Sequence, residues 1–542
     1  MHPLIAQIKS HVRVEHVFLA ILILAIVLRF CFLDLKLFHH DESIHAWFSY
    51  RLLTTGYYEY DPTYHGPFLY YVTAGMFSLF GSSDLVARIL PCIFGCAVIP
   101  LVYWIYRMKF INAKVACVAA LFIAVSPEMV YFSRFLRNDV FVIFFSLLMV
   151  AAMLAWMSKG KWQYLALAGA SAALGLCCKE NMPIIILTFA VFFLYLVWSR
   201  KFALPKHWIR DALIAAAVFF GIVFTMYTSF WQYPEMVLNA GPMAIQHWLE
   251  MHNQQRLGGP AVFYLLMFIL YEIPILILAV LGVGRFLYRP KKLHAEAAAE
   301  DEADAELALQ KFSLRKFLKE VFSRPAAAPI NREREFMRFA IYWTIIACIT
   351  YAYIGEKVPW LSLHQILPMV FVAAFGLFAL KKYWWKIVLV ISVGILLVIM
   401  AHVAFTPADI DEPIVQVQYS EELVPLMEKI DNASKVAIVT DQAWPFMWYY
   451  RGDAWDKFYY FGKLISDESA AAGDYDIIIG HDTDAYESLD GYNKSIQRLS
   501  YWFDAAATYA GQSGNDLLNW VKYYFTRDGA SGSYNLAVFT RG

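Results

Sequence analysis

The sequence predicts an α-helical polytopic membrane protein of about eleven transmembrane helices. It adds amphipathic helices lying in the interface of its outer loops and a small extracytoplasmic α/β domain at the C-terminal end. Three observations carry this reading. Of the 542 residues, 60% are hydrophobic and only 17% charged, and the mean hydropathy is +0.48, whereas soluble domains carry about 25% charged residues. Apolar runs of bilayer length recur from residue 15 to residue 405. Beyond residue 406 the composition turns ordinary, which divides the chain into a membrane part, 1–405, and an outer domain, 406–542.

The eleven runs are 15–35, 84–106, 112–127, 138–157, 162–179, 181–198, 209–229, 261–285, 337–355, 362–380 and 386–405. The first is flanked by Lys9 and Arg13 but has no small-residue cleavage site after it, so it is expected to persist as a helix. Basic residues gather at Lys9/Arg13, Arg107/Lys109/Lys114, Lys159/Lys161, Arg200/Lys201/Lys206/Arg210, Arg285 to Arg338 and Lys381/Lys382/Lys386, in every second connection. By the positive-inside rule these connections are cytoplasmic, which puts the N-terminus inside and the C-terminal domain outside a plasma (inner) membrane. Residues 36–83 then form a long first outer loop, where ESIHAWFSYRLLTTG and FLYYVTAGMFSLFG carry the pattern of interfacial helices. The polar inner segment 286–336 reads as a solvated helix. In the outer domain KVAIVT, DIIIG and NLAVFT are expected strands, alternating with polar and aromatic stretches suited to helices.

Forty-five basic and forty-five acidic residues balance, which removes nucleic acid as an expected partner. The seven cysteines lie in or beside apolar segments without CxxC or metal-finger spacing and read as packed or lipid-facing side chains. The outer domain has no GxGxxG, P-loop or GxSxG motif, so the chemistry is not expected there.

The unusual residues of the membrane part fall on one side. HHDE (39–42) opens the first outer loop, RFLRND (134–139) ends the second, CKEN (178–181) is the third, HWLEMHNQQR (247–256) lies in the fourth and GEKVPWLSLH (355–364) fills the fifth. Ionisable groups are costly in lipid, and their convergence predicts a shared cavity at the outer surface. Taken singly, Lys179 and Lys357 read equally well as headgroup anchors, and Asp139 as a carboxylate favoured at a helix N-terminus. Together they supply carboxylates able to accept a proton from a hydroxyl (Asp41, Glu42, Asp139) and a phosphate clamp (Arg134, Arg137, Lys179, Arg256, Lys357, His364). His40, His65, Glu180, His252, Glu356 and Trp360 complete the expected pocket. No cofactor is implied with certainty; a divalent metal on His39, His40, Asp41 and Glu42, with His45 near, is a candidate without a strong motif. Nucleotide is scarce outside a cell, so the donor expected for such a site is a lipid phosphate.

The ordered motifs carry a resemblance. The acidic pair of the first outer loop, DLVARILPCIFG, SPEMVYFSRFLRND and GLCCKEN together resemble the GT-C membrane glycosyltransferases of the protein-mannosyltransferase and aminoarabinose-transferase type. Within them, DPTYHGPFLYY, HNQQRLGGPAVFY and GEKVPWLSLHQILP are similar to the flippase-activity-associated proteins of archaeal glycosylation clusters. The resemblance covers roughly residues 15–405. It implies Asp41 as general base, Asp139 as an organiser of the site and basic residues holding a polyprenyl phosphate; the expected reaction is transfer of its sugar to a hydroxyl of a lipid, glycan or protein, and direct displacement would invert the anomeric carbon. The rival reading is a non-catalytic flippase or flippase accessory that binds the lipid-linked sugar; a scaffold for partners is a third. Against a carrier stand the one-sided placement of the functional residues and the lack of an internal repeat.

Overall fold

A computed structural model describes residues 13–254, 259–288, 330–406, 412–483, 485–510 and 517–541. Every expected apolar run is helical. In chain order the membrane part comprises α1 (Val14–Phe30), α2 (His40–Thr55), α3 (Phe68–Phe80), α4 (Asp84–Arg107), α5 (Ala113–Val125), α6 (Pro127–Ser133), α7 (Asn138–Lys159) and α8 (Trp162–Leu176). It continues with α9 (Met182–Trp198), α10 (Trp208–Tyr227), α11 (Met236–Gln254), α12 (Phe263–Tyr271), α13 (Ile273–Leu287), α14 (Arg332–Tyr353), α15 (Leu363–Leu377, after a 3-10 turn from Pro359) and α16 (Trp384–Phe405). Among the described residues six helices are long and apolar enough to cross a bilayer, or eight if two bent pairs each count as one span. α1, α8 and α9 are shorter, at 15 to 17 residues. Most of the inner segment expected as a solvated helix, 289–329, lies outside the described residues.

Two expected spans are not straight. α5 and α6 meet at 56°, and α12 and α13 at 110°. At the first break Pro127 has no N–H to continue the ladder and the Ser126 side chain accepts from Met129 N. The freed carbonyls of α5 are bonded by Arg29, whose Nη2 donates to Ile123 O at 2.9 Å and Nη1 to Ala124 O at 3.2 Å. Glu272, at the second break, joins the two: its Oε1 accepts from Ser126 Oγ at 2.5 Å and from Glu128 N at 3.1 Å. Irregular backbone at membrane depth is thus satisfied by buried side chains, as a bilayer requires. Elsewhere the helices pack closely. Cβ atoms at Gly282 and Gly376 would meet Val372 O at 2.2 Å and Leu278 O at 1.9 Å, so these glycines let α13 and α15 approach backbone to backbone.

Both expected loop helices exist as α2 and α3, but α2 is not a surface float: Glu42, Ser43, Ile44, His45, Ala46 and Ser49 are all buried. The sheet of the C-terminal domain has the order β1 (Gln418–Tyr419), β5 (Tyr492–Asp504), β6 (Ala530–Arg541), β4 (Ile477–His481), β2 (Val436–Ile438), β3 (Phe458–Tyr460). β2 pairs in parallel with β3 and β4; the other pairings are antiparallel. The three strands expected from sequence are β2, β4 and β6. β5 corrects the expectation of a helix in a polar and aromatic stretch.

The sheet domain is fastened to the membrane part. Glu412, buried, accepts from Tyr271 OH at 2.7 Å and Arg527 Nη1 at 3.1 Å and pairs with His402 at 2.9 Å. Asp84, at the start of α4, accepts from Trp448 Nε1 at 2.7 Å and Tyr449 OH at 2.9 Å. Phe38 stacks on Trp448, which brings the domain against the loop leading into α2.

Candidate functional site

α2 starts at the HHDE motif because that motif is a capping box. The His39 side chain accepts from Asp41 N, and the Glu42 carboxylate reaches back to His39 N at 2.9 Å. Glu42 has no exposure. Arg88 of α4 binds it through both oxygens, at 2.9 and 2.8 Å, and Leu136 N donates to it at 2.9 Å. Arg88 also donates to the carbonyls of Leu33, Lys36 and Leu37. Glu42 and Arg88 therefore tie three segments together, and Glu42 is not placed to meet a substrate.

Asp41 differs. Its side chain is 32% exposed, and its partner is the buried Arg137 guanidinium. Arg137 lies over the Trp360 ring, 3.5 Å from its centroid, with its Nε 4.0 Å from Asp139. Asp139, 1% exposed, opens α7, where a carboxylate is favoured, and binds Lys179 through both oxygens at 2.9 and 3.0 Å. His364 Nε2 stands 3.1 Å from Asp139 Oδ1 and its ring stacks on Tyr351. Asn181 lies 3.1 Å from His364 and donates to Tyr351 OH at 2.9 Å. The result is one chain of charges, Asp41–Arg137–Asp139–Lys179, built from three of the five predicted motifs, with His364 added from a fourth.

His40 is 2.8 Å from Tyr419 OH in β1, and His39 bonds Gln416 O, so the C-terminal sheet domain packs against the start of α2. His45 bonds Tyr70 OH at 2.8 Å. Burial, with His65 and Lys179 nearby, pushes its imidazole down to about 3, and the charges of Asp139 and His40 also act on it. Glu180 accepts from His65 at 3.0 Å and from Tyr60 OH at 3.3 Å.

Other predicted residues have different duties. Arg134 donates to the carbonyls of Leu28, Arg29, Cys31 and Phe32 at the end of α1. Lys357 donates to Tyr351 O, Ala352 O and Ile354 O at the end of α14, three acceptors for three protons. Each is a cation at a helix C-terminus, and the structure revises both from phosphate ligands to caps. His252 stacks on Tyr353, and Glu356 is half-buried beside Lys357. Arg256 lies outside the described residues. The metal reading also changes. Among the described residues no three His, Cys, Asp or Glu side chains converge, because His39, His40, Asp41 and Glu42 turn to Gln416, Tyr419, Arg137 and Arg88. Those four residues do not fit a metal ion.

Sequence reasoning missed Arg88, Asn181, Tyr351 and Tyr419. Arg88 left a signal, since a charge inside an apolar span calls for a buried partner.

Residues 64–224 match the family described as dolichyl-phosphate-mannose-protein mannosyltransferase. That stretch holds His65, Arg88, Arg137, Asp139, Lys179 and Glu180 and begins after Asp41. No curated protein matches the chain. Among solved structures, the chain superposes on ArnT from Cupriavidus metallidurans bound to undecaprenyl phosphate with a TM-score of 0.55 and 12% identity, over 86% of this chain and 93% of that one. The Archaeoglobus fulgidus oligosaccharyltransferase tethered with an acceptor peptide gives a TM-score of 0.49 and 12% identity, over 80% and 62%. The chain is a polytopic membrane protein that shares its fold with ArnT, and its residues 64–224 match the mannosyltransferase family model.

Proposed function

We propose that this protein is a membrane glycosyltransferase that moves a sugar from a polyprenyl-phosphate donor to a hydroxyl acceptor at the outer leaflet, with Asp41 as general base. The membrane part, 1–405, carries the chemistry, and the outer domain, 406–542, closes one wall of the site. The observation that carries the reading is the contrast among three carboxylates: Glu42 and Asp139 are sealed by cations, whereas the Asp41 side chain is 32% exposed at the end of the charge chain. The acceptor oxygen attacks the anomeric carbon as its proton passes to Asp41. The bond from that carbon to the phosphate oxygen breaks, its electron pair leaves with the phosphate, and the anomeric carbon inverts.

Two carboxylates, Asp41 and Asp139, face two cations, Arg137 and Lys179, so a donor phosphate competes for cations already paired. Arg137 is the bridging group. Phosphate that takes its guanidinium frees Asp41, raising its basicity only when donor is present. ArnT was solved with undecaprenyl phosphate bound, and its likeness in fold supports a lipid phosphate as donor class. The test is incubation of purified protein with a panel of radiolabelled polyprenyl-phosphate sugars and a mixed set of acceptors. Transfer or donor hydrolysis supports the reading; donor binding without either favours a flippase accessory.

A further inference from the structure

The loop between α2 and α3 contains a residue in a backbone conformation that its side chain does not favour. His65 has φ 67° and ψ −166°, a region otherwise reserved for glycine. A glycine follows it, yet Gly66 does not take the strain. Gly66 serves close approach: a Cβ there would stand 2.2 Å from Cys177 O. Gly66 N donates to Cys178 O at 3.2 Å and Phe68 N to Cys177 O at 2.9 Å, so this loop is stitched to the backbone just before Lys179 and Glu180.

The strain aims the imidazole. Nδ1 of His65 is 3.0 Å from Glu180 Oε2, and the other carboxylate oxygen of Glu180 accepts from Tyr60 OH. A carboxylate on Nδ1 places the proton there and leaves the Nε2 lone pair as an acceptor. Among the described residues Nε2 has no hydrogen-bond partner, and the side chain is 26% exposed. An imidazole held through one nitrogen by a carboxylate, with its other nitrogen open, suits a hydroxyl partner. Its position selects which O–H. Glu180 directly follows Lys179, which would hold the donor phosphate, and the transferred sugar is bonded to that phosphate.

We propose that His65, oriented by Glu180, accepts a hydrogen bond from a hydroxyl of the donor sugar and thereby helps choose which sugar is transferred. This rests on the glycosyltransferase reading. Glu180 and Tyr60 are positioning residues; His65 touches the substrate.

His65→Gly tests it, because glycine relieves the backbone strain while deleting the imidazole. The variant is expected to keep or raise the Tm of the parent. Its kcat/KM for the preferred donor falls about tenfold or more, the effect of a lost substrate hydrogen bond. The decisive readout is selectivity: across monodeoxy analogues of the preferred sugar, the parent discriminates against one, and His65→Gly loses that discrimination while the others keep their ranking. Glu180→Gln, which still accepts from Nδ1, retains selectivity, and Glu180→Leu loses it. Unchanged discrimination in His65→Gly with full transfer by the parent overturns this proposal alone. Parent protein that transfers no polyprenyl-phosphate sugar overturns both it and the function it rests on.

Discussion

Lys179 and Lys357 are both buried lysines, and the sequence offers the same two readings for each. Their hydrogen bonds separate them. Among the described residues Lys179 holds only carboxylate oxygens of Asp139, a partner that phosphate can replace, whereas Lys357 has its three protons on three backbone carbonyls. Lys179→Ala is expected to weaken donor binding by about 2–5 kcal/mol, the scale for loss of a buried charge partner. Lys357→Ala is expected to leave donor affinity near that of the parent and lower thermal stability. Equilibrium binding of a polyprenyl-phosphate sugar and a melting curve for each variant check this. His45 gives a pH prediction. Its folded pKa, about 3, lies below the ordinary 6.5, so the fold requires the neutral ring while the unfolded chain takes up a proton at 6.5. Its contribution is full above pH 6.5 and is lost as pH falls from there towards 3, by ~1 kcal/mol per unit. Melting temperatures measured from pH 7 to 4 are expected to fall, and less steeply in His45→Asn. The carboxylates and all five motifs were legible because ionisable groups in an apolar chain stand out. Their pairing was not, since it depends on side chains up to 225 residues apart, as His364 and Asp139 are.

At the scale of elements, the HHDE motif reads from sequence as a cluster of ligands, but in the fold it is first of all a helix start and an anchor. Glu42 joins α2 to α4 through Arg88 and to the turn before α7 through Leu136 N. Breaking a buried pair leaves an uncompensated charge, so Glu42→Ala and Arg88→Ala are each expected to cost ~3–5 kcal/mol. Glu42→Leu combined with Arg88→Met is expected to cost less than either alone; a double variant worse than both single ones would argue against this pairing. Existence of the helices was readable because bilayer-length apolar runs have few other outcomes. The bends at Ser126 and Glu272 were not, because the acids that sustain them become informative only once Ser126, Glu128 and Glu272 meet. β5 escaped for a different reason. Its first half is largely exposed, so YNKSIQRLSYWFD lacks the apolar alternation that marks a half-buried strand.

Over the whole molecule, four dispersed motifs meet beside the outer sheet domain, and orientation decides whether that meeting place can see an extracytoplasmic acceptor. Cysteines at Thr55 and Lys463, both exposed, are expected to react with an impermeant reagent from outside, and one at Lys161, in a basic connection, is not. Labelling of position 161 from outside would reverse the orientation. The most direct measurement is of Asp41→Asn, which keeps size and hydrogen bonding but cannot accept the acceptor proton. Donor affinity and single-turnover transfer are to be measured on the same purified preparation, beside the parent. The expected result is donor binding at least as tight as the parent's, because Arg137 no longer has a carboxylate competing with phosphate, and transfer slower by about 10²–10⁴, the range for general acid–base catalysis. Transfer at the parent's rate in Asp41→Asn would contradict the account and move the base elsewhere.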